Sequence, residues 1–181
     1  MRFFCLDARA LDFSAEFDAV FSNATLHWVL EHPRVLDGVS RALRPGGRLI
    51  FQMGGRGNAA DLVEVLDELV GQARWRSYFT DFEFPYGFYG TEEYGDWLEA
   101  AGLEARRIEL VAKDLSHPGQ EGFEGWFRTT WLPFTERVPQ DQRAVFIDAV
   151  VGGYLMAHPP DAGGATHLGM VRLEVEALRP A

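Results

Sequence analysis

Phe17-Asp18-Ala19-Val20-Phe21-Ser22-Asn23-Ala24-Thr25-Leu26-His27-Trp28 is the stretch whose reading decides the fold. Ala19 to Ser22 is a short apolar run, which predicts a strand, and it runs directly into the polar Asn23. In α/β folds the carboxyl end of a strand is where ligands bind. Asn23, His27 and Trp28 would line a crevice there. A plain capped turn, with Trp28 as a core residue, is the competing reading of the same residues.

Working outward, Val35, Leu36, Val39, Ala42 and Leu43 recur at helical spacing. Pro33 near that helix's start costs nothing, because the first N–H groups have no partner within the helix. Pro45-Gly46-Gly47 stops it. Leu49-Ile50-Phe51 is continuous apolar sequence, as expected for a strand buried on both faces. Leu62, Val65, Leu66, Leu69, Val70 and Ala73 form one helical stripe, with Asn58 as the expected N-cap. An irregular aromatic stretch from Trp75 to Tyr89 follows, then a short helix capped by Thr91 that buries Tyr94, Trp97, Leu98 and Ala101. Gly102 closes it. Arg2 to Leu6 reads as a further short strand.

Two late segments differ in kind. Ile108 and Leu110 alternate with charged residues, and so do Val171, Leu173, Val175 and Ala177. That period of two marks half-buried strands, such as antiparallel strands at a sheet edge. Helical stretches are expected between them, at about Glu121 to Leu132 and Gln140 to Met156. The predicted fold class is α/β: a parallel core with an antiparallel pair late in the chain and a helical insertion between its members. The expected organisation is one domain over residues 1–181. It divides into an α/β core at 1–112, a helical insertion or lid at 113–165 and a last strand at 166–181.

Composition narrows the function. The 181 residues carry 17 basic and 27 acidic side chains, a net charge of −10. This argues against nucleic acid as a partner, which needs clustered Lys and Arg. The single cysteine, Cys5, allows no disulfide within the chain. No apolar run approaches the ~18 residues that span a membrane, and the start has no secretory pattern. A cytoplasmic protein without membrane partners is expected.

Three segments carry a resemblance. FDAVFSNATLHWV, RALRPGGRLIFQMGGRGN and YGTEEYGDWLEAAGLEARRIEL are similar to class I S-adenosylmethionine-dependent methyltransferases, with the trans-aconitate 2-methyltransferase-like proteins as the nearest subgroup. The resemblance implies a Rossmann-like fold, S-adenosylmethionine as cofactor and a small-molecule acceptor, with a carboxylate oxygen among the candidates. It also implies what is not found here. Such enzymes open with a strand and a glycine-rich loop, then a second strand ending in an acid that holds the ribose. Phe3 to Ala8 instead resembles the family's third strand and the adenine-contacting turn. Two strand–helix units, roughly 60 residues at ~30 per unit, are therefore expected to be absent. In the family's sheet those strands lie between the third and fourth. The Arg2–Leu6 strand is then expected to fray, to pair directly with Ala19–Ser22, or to be completed by another chain. An open edge at Ala19–Ser22 would permit a homodimer.

The family's roles carry over residue by residue. Asp7 would accept a hydrogen bond from the adenine amino group, and Ala8 would offer its backbone N–H. Asn23, Ala24 and Leu26 would meet the methionine and sulfonium region. His27 and Trp28 would shape the face beside the transferred methyl, and His27 would be the base for a hydroxyl or amine acceptor. A carboxylate acceptor, ionised near pH 7, needs no base. A polyacid needs a cation, and Arg128 in the helical insertion offers a planar fork; Arg56, Arg74 and Arg76 are further choices. Tyr89, with Tyr86 and Phe88, would wall an apolar acceptor instead. Plainer readings stand beside these: Asp7 capping a turn, Arg128 snorkelling along an aromatic helix. Gly55-Arg56-Gly57-Asn58-Ala59-Ala60 also fits the dinucleotide pattern G-x-G-x-x-A, without a second strand ending in an acid after it. The alternative to an enzyme is a non-catalytic or partner-dependent remnant that cannot hold cofactor alone.

Overall fold

A computed structural model describes residues 2–181. The strands are β1 (Phe17–Asn23), β2 (Leu43–Gly54), β3 (Glu104–Pro118) and β4 (Ala165–Leu178). The helices are α1 (His32–Ala42), α2 (Ala60–Gly71), α3 (Thr91–Ala100), α4 (Gly119–Thr130), α5 (Leu132–Thr135) and α6 (Arg143–Ala157). The chain folds as two compact units. One comprises the residues up to Asn58 with Tyr86–Ala112 and Val171–Ala181; the other comprises Ala59–Pro85 and Lys113–Met170.

The first unit holds the α/β core. Four strands lie in the order β1-β2-β4-β3. β1 pairs with β2 in parallel, Ala19 opposite Arg48 through Asn23 opposite Gln52. β2 pairs with β4 antiparallel, Arg48 opposite Leu178 through Gly54 opposite Arg172. Parallel neighbours need a crossover, and α1 supplies it. Its stripe of Val35, Leu36, Val39 and Ala42 packs into a core with Leu49, Phe51, Met53, Tyr94, Leu98, Leu173 and Val175, all buried. Each such aliphatic or aromatic side chain contributes about 1.5–3 kcal/mol on burial.

Several expectations are corrected here. Arg2–Leu6 forms no strand, and Phe3, Phe4 and Leu6 are exposed. An apolar run becomes a strand only where a neighbour takes its hydrogen bonds, and among the described residues β1 pairs with β2 alone. Ile50 is half-buried, so β2 is not fully covered on both faces. Pro45-Gly46-Gly47 lies within β2, which starts as soon as α1 ends. Asn58 does not cap α2; the residue before the helix is Ala59, in a left-handed conformation (φ 53). The Asn58 Oδ1 instead accepts the Val171 N–H at 3.0 Å. Gly90, not Thr91, precedes α3, and its N–H donates to the Glu93 carboxylate at 3.2 Å. Trp97 and Ala101 are only partly buried.

The second unit is helical, with its own aromatic core. Trp75, Phe123, Phe127, Trp131, Phe134, Phe146 and Tyr154 are buried there. Leu62, Leu66 and Leu69 are the buried face of α2, while Ala73 lies beyond its end. α4 starts at Gly119 and α6 at Arg143, each displaced by two or three positions from the expected start. No helix among the described residues is long and apolar enough to cross a membrane.

Candidate functional site

The carboxyl end of β1 is where the chain turns into chemistry-bearing residues. Asn23 is the last residue of β1 and is exposed. Ala24 follows in a left-handed conformation (φ 52), which non-glycine residues seldom adopt. What holds it there is its N–H, which donates to the Gln52 carbonyl of β2 at 2.8 Å. Thr25 donates its hydroxyl back to the Asn23 carbonyl at 3.1 Å. Leu26–Trp28 then forms a single 3-10 turn, with Leu26 buried in the core. Trp28 remains 43% exposed, which removes the reading of it as a core residue.

His27 is half-buried, and its Nδ1 accepts the Gly54 N–H at 3.3 Å. That bond leaves the ring proton on Nε2. Burial, and to a lesser extent the neighbouring His32, hold its pKa below the usual 6.5. His27 is thus a neutral ring whose remaining polar group is a donor.

The turn is clamped from below by a pair that sequence reading missed. His32, 1% exposed, donates from Nε2 to the Leu26 carbonyl at 2.9 Å. Its Nδ1 must then be bare, so the buried Tyr94 hydroxyl, 2.5 Å away, donates to it. Met53 Sδ lies 3.2 Å from the same hydroxyl, but the hydroxyl has only one proton to give. Burial lowers the His32 pKa. Only the position of Tyr94 on an apolar stripe was visible beforehand; nothing local marks His32 as its partner 62 residues earlier.

Asp7 and Ala8 open a 3-10 turn, Ala8–Ala10, in the same unit. Asp7 caps that turn, accepting the Arg9 N–H at 2.9 Å, and its carboxylate also takes the Arg9 guanidinium at 2.7–3.1 Å. These bonds lower its pKa to about 2. Arg9 reaches on to Glu31 at 3.0 and 3.1 Å, which ties the turn to the residue before α1. Ala8, as the first residue of the turn, keeps its N–H outside the turn's own hydrogen bond, Ala10 N–H to Asp7 C=O.

An aromatic wall flanks His27. Trp28 meets Tyr86 edge-on at 5.0 Å between ring centroids. Tyr86 and Phe88 are parallel at 5.4 Å. His27 lies 5.7 Å from Trp28 and 6.2 Å from Phe88. The strip is held against the turn by the Gly87 N–H, which donates to the His27 carbonyl at 2.8 Å. Tyr89 stands apart from this wall. Its hydroxyl donates to the Leu30 carbonyl at 2.6 Å, and its ring packs on His32 and Trp97.

Arg128 belongs to the second unit, on α4, where it forms an i,i+4 ion pair with Glu124. Asp7, Ala8, Asn23, Ala24, Leu26, His27, Trp28 and Tyr89 all belong to the first. Arg56 is paired with Glu93. The glycines around it do not form a phosphate cradle. The N–H groups of Gly55, Arg56 and Asn58 donate to the carbonyls of Val171, Tyr89 and Gly55, so they are spent internally.

Comparisons with known proteins point to methyltransferases. A family model described as methyltransferase domain matches residues 1–51. The chain is 31% identical to the trans-aconitate 2-methyltransferase of Deinococcus radiodurans, over 93% of this chain and 66% of that protein. It is 30% identical to the trans-aconitate 2-methyltransferase of Paracidovorax citrulli, over 91% of this chain and 63% of that one. Among solved structures, loganic acid methyltransferase with S-adenosylhomocysteine superposes with a TM-score of 0.66 at 12% identity, covering 94% of this chain and 63% of that one. The chain thus spans less than two thirds of each of these proteins. It is similar to the class I S-adenosylmethionine-dependent methyltransferases in sequence and in fold. Within that class it is similar to the trans-aconitate 2-methyltransferases.

Proposed function

We propose that this chain is a methyltransferase domain that moves a methyl group from S-adenosylmethionine to an oxygen of a small molecule. The observation that carries the reading is the Asn23–Trp28 turn, held at the carboxyl end of β1 by the Ala24–Gln52 hydrogen bond and by His32. The residues present fit part of the cofactor. Asp7 and the Ala8 N–H would face the adenine, and Asn23, Ala24 and Leu26 the methionine end. When bound, the cofactor supplies an activated methyl on a sulfonium. The protein's work is then positioning, which carries much of the rate of an in-line displacement. His27 in this reading donates from Nε2 and orients the acceptor; it does not take a proton.

A second reading has an observation behind it. The Asp7 carboxylate is already closed by Arg9, with four hydrogen bonds from that one residue. This supports a chain that holds cofactor only together with another chain, or not at all. Calorimetric titration of S-adenosylhomocysteine into the protein and into Asp7→Ala separates the two. Micromolar binding that weakens in the variant supports the first reading. No binding to the folded chain removes it in favour of the second.

A further inference from the structure

A cavity of about 600 Å³ opens within the second unit. One wall is residues 116–119, where β3 ends and α4 begins; the other is residues 163–165, where the α6–β4 connection meets β4. The walls approach each other at glycines. A Cβ on Gly119 would lie 3.7 Å from the Gly164 carbonyl oxygen. Both residues have positive φ, 63 and 82, which glycine adopts without strain. A Cβ on Gly164 would meet nothing within 4 Å, so the second wall has room to move.

One side chain spans the roots of the two walls. His167 of β4 has Nδ1 2.7 Å from Asp114 of β3 and Nε2 3.2 Å from Asp161 of the connection. Carboxylates only accept, so the ring satisfies both only as an imidazolium with a proton on each nitrogen. Two of its attachments are fixed. The His167 carbonyl accepts the Tyr154 hydroxyl of α6 at 2.7 Å, and Asp114 sits within a long strand. Asp161, by contrast, belongs to a turn whose own bonds are internal. Its Oδ1 accepts the Gly163 and Ala165 N–H groups, both at 2.8 Å. Its N–H donates to the Ala165 carbonyl and its carbonyl accepts the Gly164 N–H, both at 2.9 Å. The turn is a preformed piece, and the imidazolium ties it to β3.

Asp114 and Asp161 are the charges that act on the ring, and they hold its pKa above 6.5. Other groups nearby are turned elsewhere. Asp61 of α2 faces His158 at 3.9 Å, and His158 stacks on the Tyr154 ring. Lys113 precedes Asp114 in β3, and strand alternation sends its side chain to the opposite face.

We propose that the turn at residues 161–164 is a proton-operated flap on this cavity. With His167 as an imidazolium the flap is seated against β3. A ring that loses a proton keeps the shorter bond, to Asp114. Its bare Nε2 then faces the Asp161 carboxylate, acceptor against acceptor. The flap is released and the cavity widens. Raising the pH through the His167 midpoint opens it, and lowering the pH closes it. The device lies wholly within the second unit and stands apart from the methyl-transfer reading.

The test is nuclear spin relaxation on the full chain, at pH values on either side of the midpoint read from the His167 ring resonances. Order parameters are measured at glycine Cα positions, where exchange of amide protons with water at high pH does not interfere. Gly163 and Gly164 are expected to fall from about 0.85 to below about 0.6 as the ring deprotonates, with Gly119 on the fixed wall unchanged. His167→Gln, which cannot become an imidazolium, should remove the dependence on pH. Asp161→Asn should reverse its sign. The asparagine oxygen still accepts Gly163 and Ala165, while its NH2 donates to a bare Nε2 and repels a protonated one. The flap is then seated at high pH and free at low pH. Equal order parameters on both sides of the midpoint overturn the proposal. So does an Asp161→Asn protein that follows the wild-type direction. A His167→Gln protein that keeps the wild-type profile overturns it too, and would assign the motion to another group such as His158.

Discussion

The Tyr94 hydroxyl lies 2.5 Å from Nδ1 of His32, and both groups are buried beneath the turn that carries His27 and Trp28. Removing that hydroxyl leaves a buried nitrogen without a donor. Tyr94→Phe should therefore destabilise the protein by about 1–3 kcal/mol, the cost of one unsatisfied buried polar group. Urea unfolding should show a lower midpoint with an unchanged slope. An unchanged midpoint would mean that water or a rearranged backbone N–H satisfies His32.

His32 and its neighbour His27 also make stability depend on pH. His32 and His27 both have folded pKa values below 6.5, mainly through burial. The unfolded chain then binds more protons than the native one as pH falls below about 6.5. Stability from these two histidines is complete above that pH and is lost as pH falls through it towards their lowered folded values. His167, in the second unit, acts in the opposite sense. Its Nδ1 lies 2.7 Å from Asp114 and its Nε2 3.2 Å from Asp161. Carboxylates only accept, so both ring nitrogens must carry protons to satisfy them. Those bonds, Asp114 first, raise its pKa. Its contribution is present below 6.5 and is lost as pH rises through the raised value. A proton-resonance titration should give a His167 midpoint above 6.5 and midpoints for His27 and His32 below it. Asp114→Asn should bring His167 back towards 6.5. A His167 midpoint unaffected by Asp114→Asn contradicts this assignment.

The glycine at 87 is a close approach between two parts of the candidate site. A Cβ there would lie 2.7 Å from the Val29 carbonyl oxygen and 2.7 Å from the Tyr89 ring. The carbonyl is backbone and cannot step aside cheaply. Gly87→Ala should cost about 1–3 kcal/mol, as overpacking does. It should also lift the Tyr86–Phe88 strip off the His27 carbonyl. The check is thermal unfolding together with the His27 ring resonances, which should move without any ligand. A variant as stable as wild type with unmoved His27 signals would show that the strip is not seated as described.

How much of this was legible from residues alone follows a physical line. β1, β2 and α1 were readable because period and continuity of apolar residues report burial directly. The late strands β3 and β4 were readable for the same reason, through their alternation. Arg2–Leu6 misled because apolar content says nothing about whether a neighbouring strand exists. Asn58 misled because its side chain is claimed by Val171, 113 residues away, and no local rule sees that. Within the site, Asn23, Leu26, His27 and Trp28 stood out as a strand end. The partners that give them their character did not: Arg9 on Asp7, Gly54 on His27, His32 on Leu26. Gly54 lies 27 residues from His27 in sequence, while Arg9 and His32 are two and six residues from their partners, where residue type alone does not say which way a side chain turns; each contact changes which atom of the pair is free to act.

Asp7 supplies a sharper test of the cofactor reading. Its carboxylate takes four hydrogen bonds from Arg9, so Arg9 competes with any donor on the adenine. Arg9→Gln should strengthen S-adenosylhomocysteine binding a few-fold, while Asp7→Ala weakens it about tenfold, the scale of one charge-assisted bond. Calorimetry on the three proteins decides. Two variants that both weaken binding would assign Asp7 and Arg9 together to the shape of the Ala8–Ala10 turn and not to contact with the base.

The open side of β1 makes the last prediction. β1 ends the strand order and has β2 as its one neighbour among the described residues. Phe21, in the middle of the strand, is 68% exposed. A strand edge with unpaired N–H and C=O groups and an apolar side chain beside them is a template for pairing with another chain. The net charge of −10 opposes self-association by repulsion, which salt screens. The mass measured by light scattering should therefore rise with protein concentration, and more steeply at high salt. Phe21→Lys places a charge on the edge and should hold the protein monomeric at both salt concentrations. If the variant associates as wild type does, the contact lies elsewhere, and the exposed aromatic residues before β1, Phe3 and Phe4, are the next surface to change.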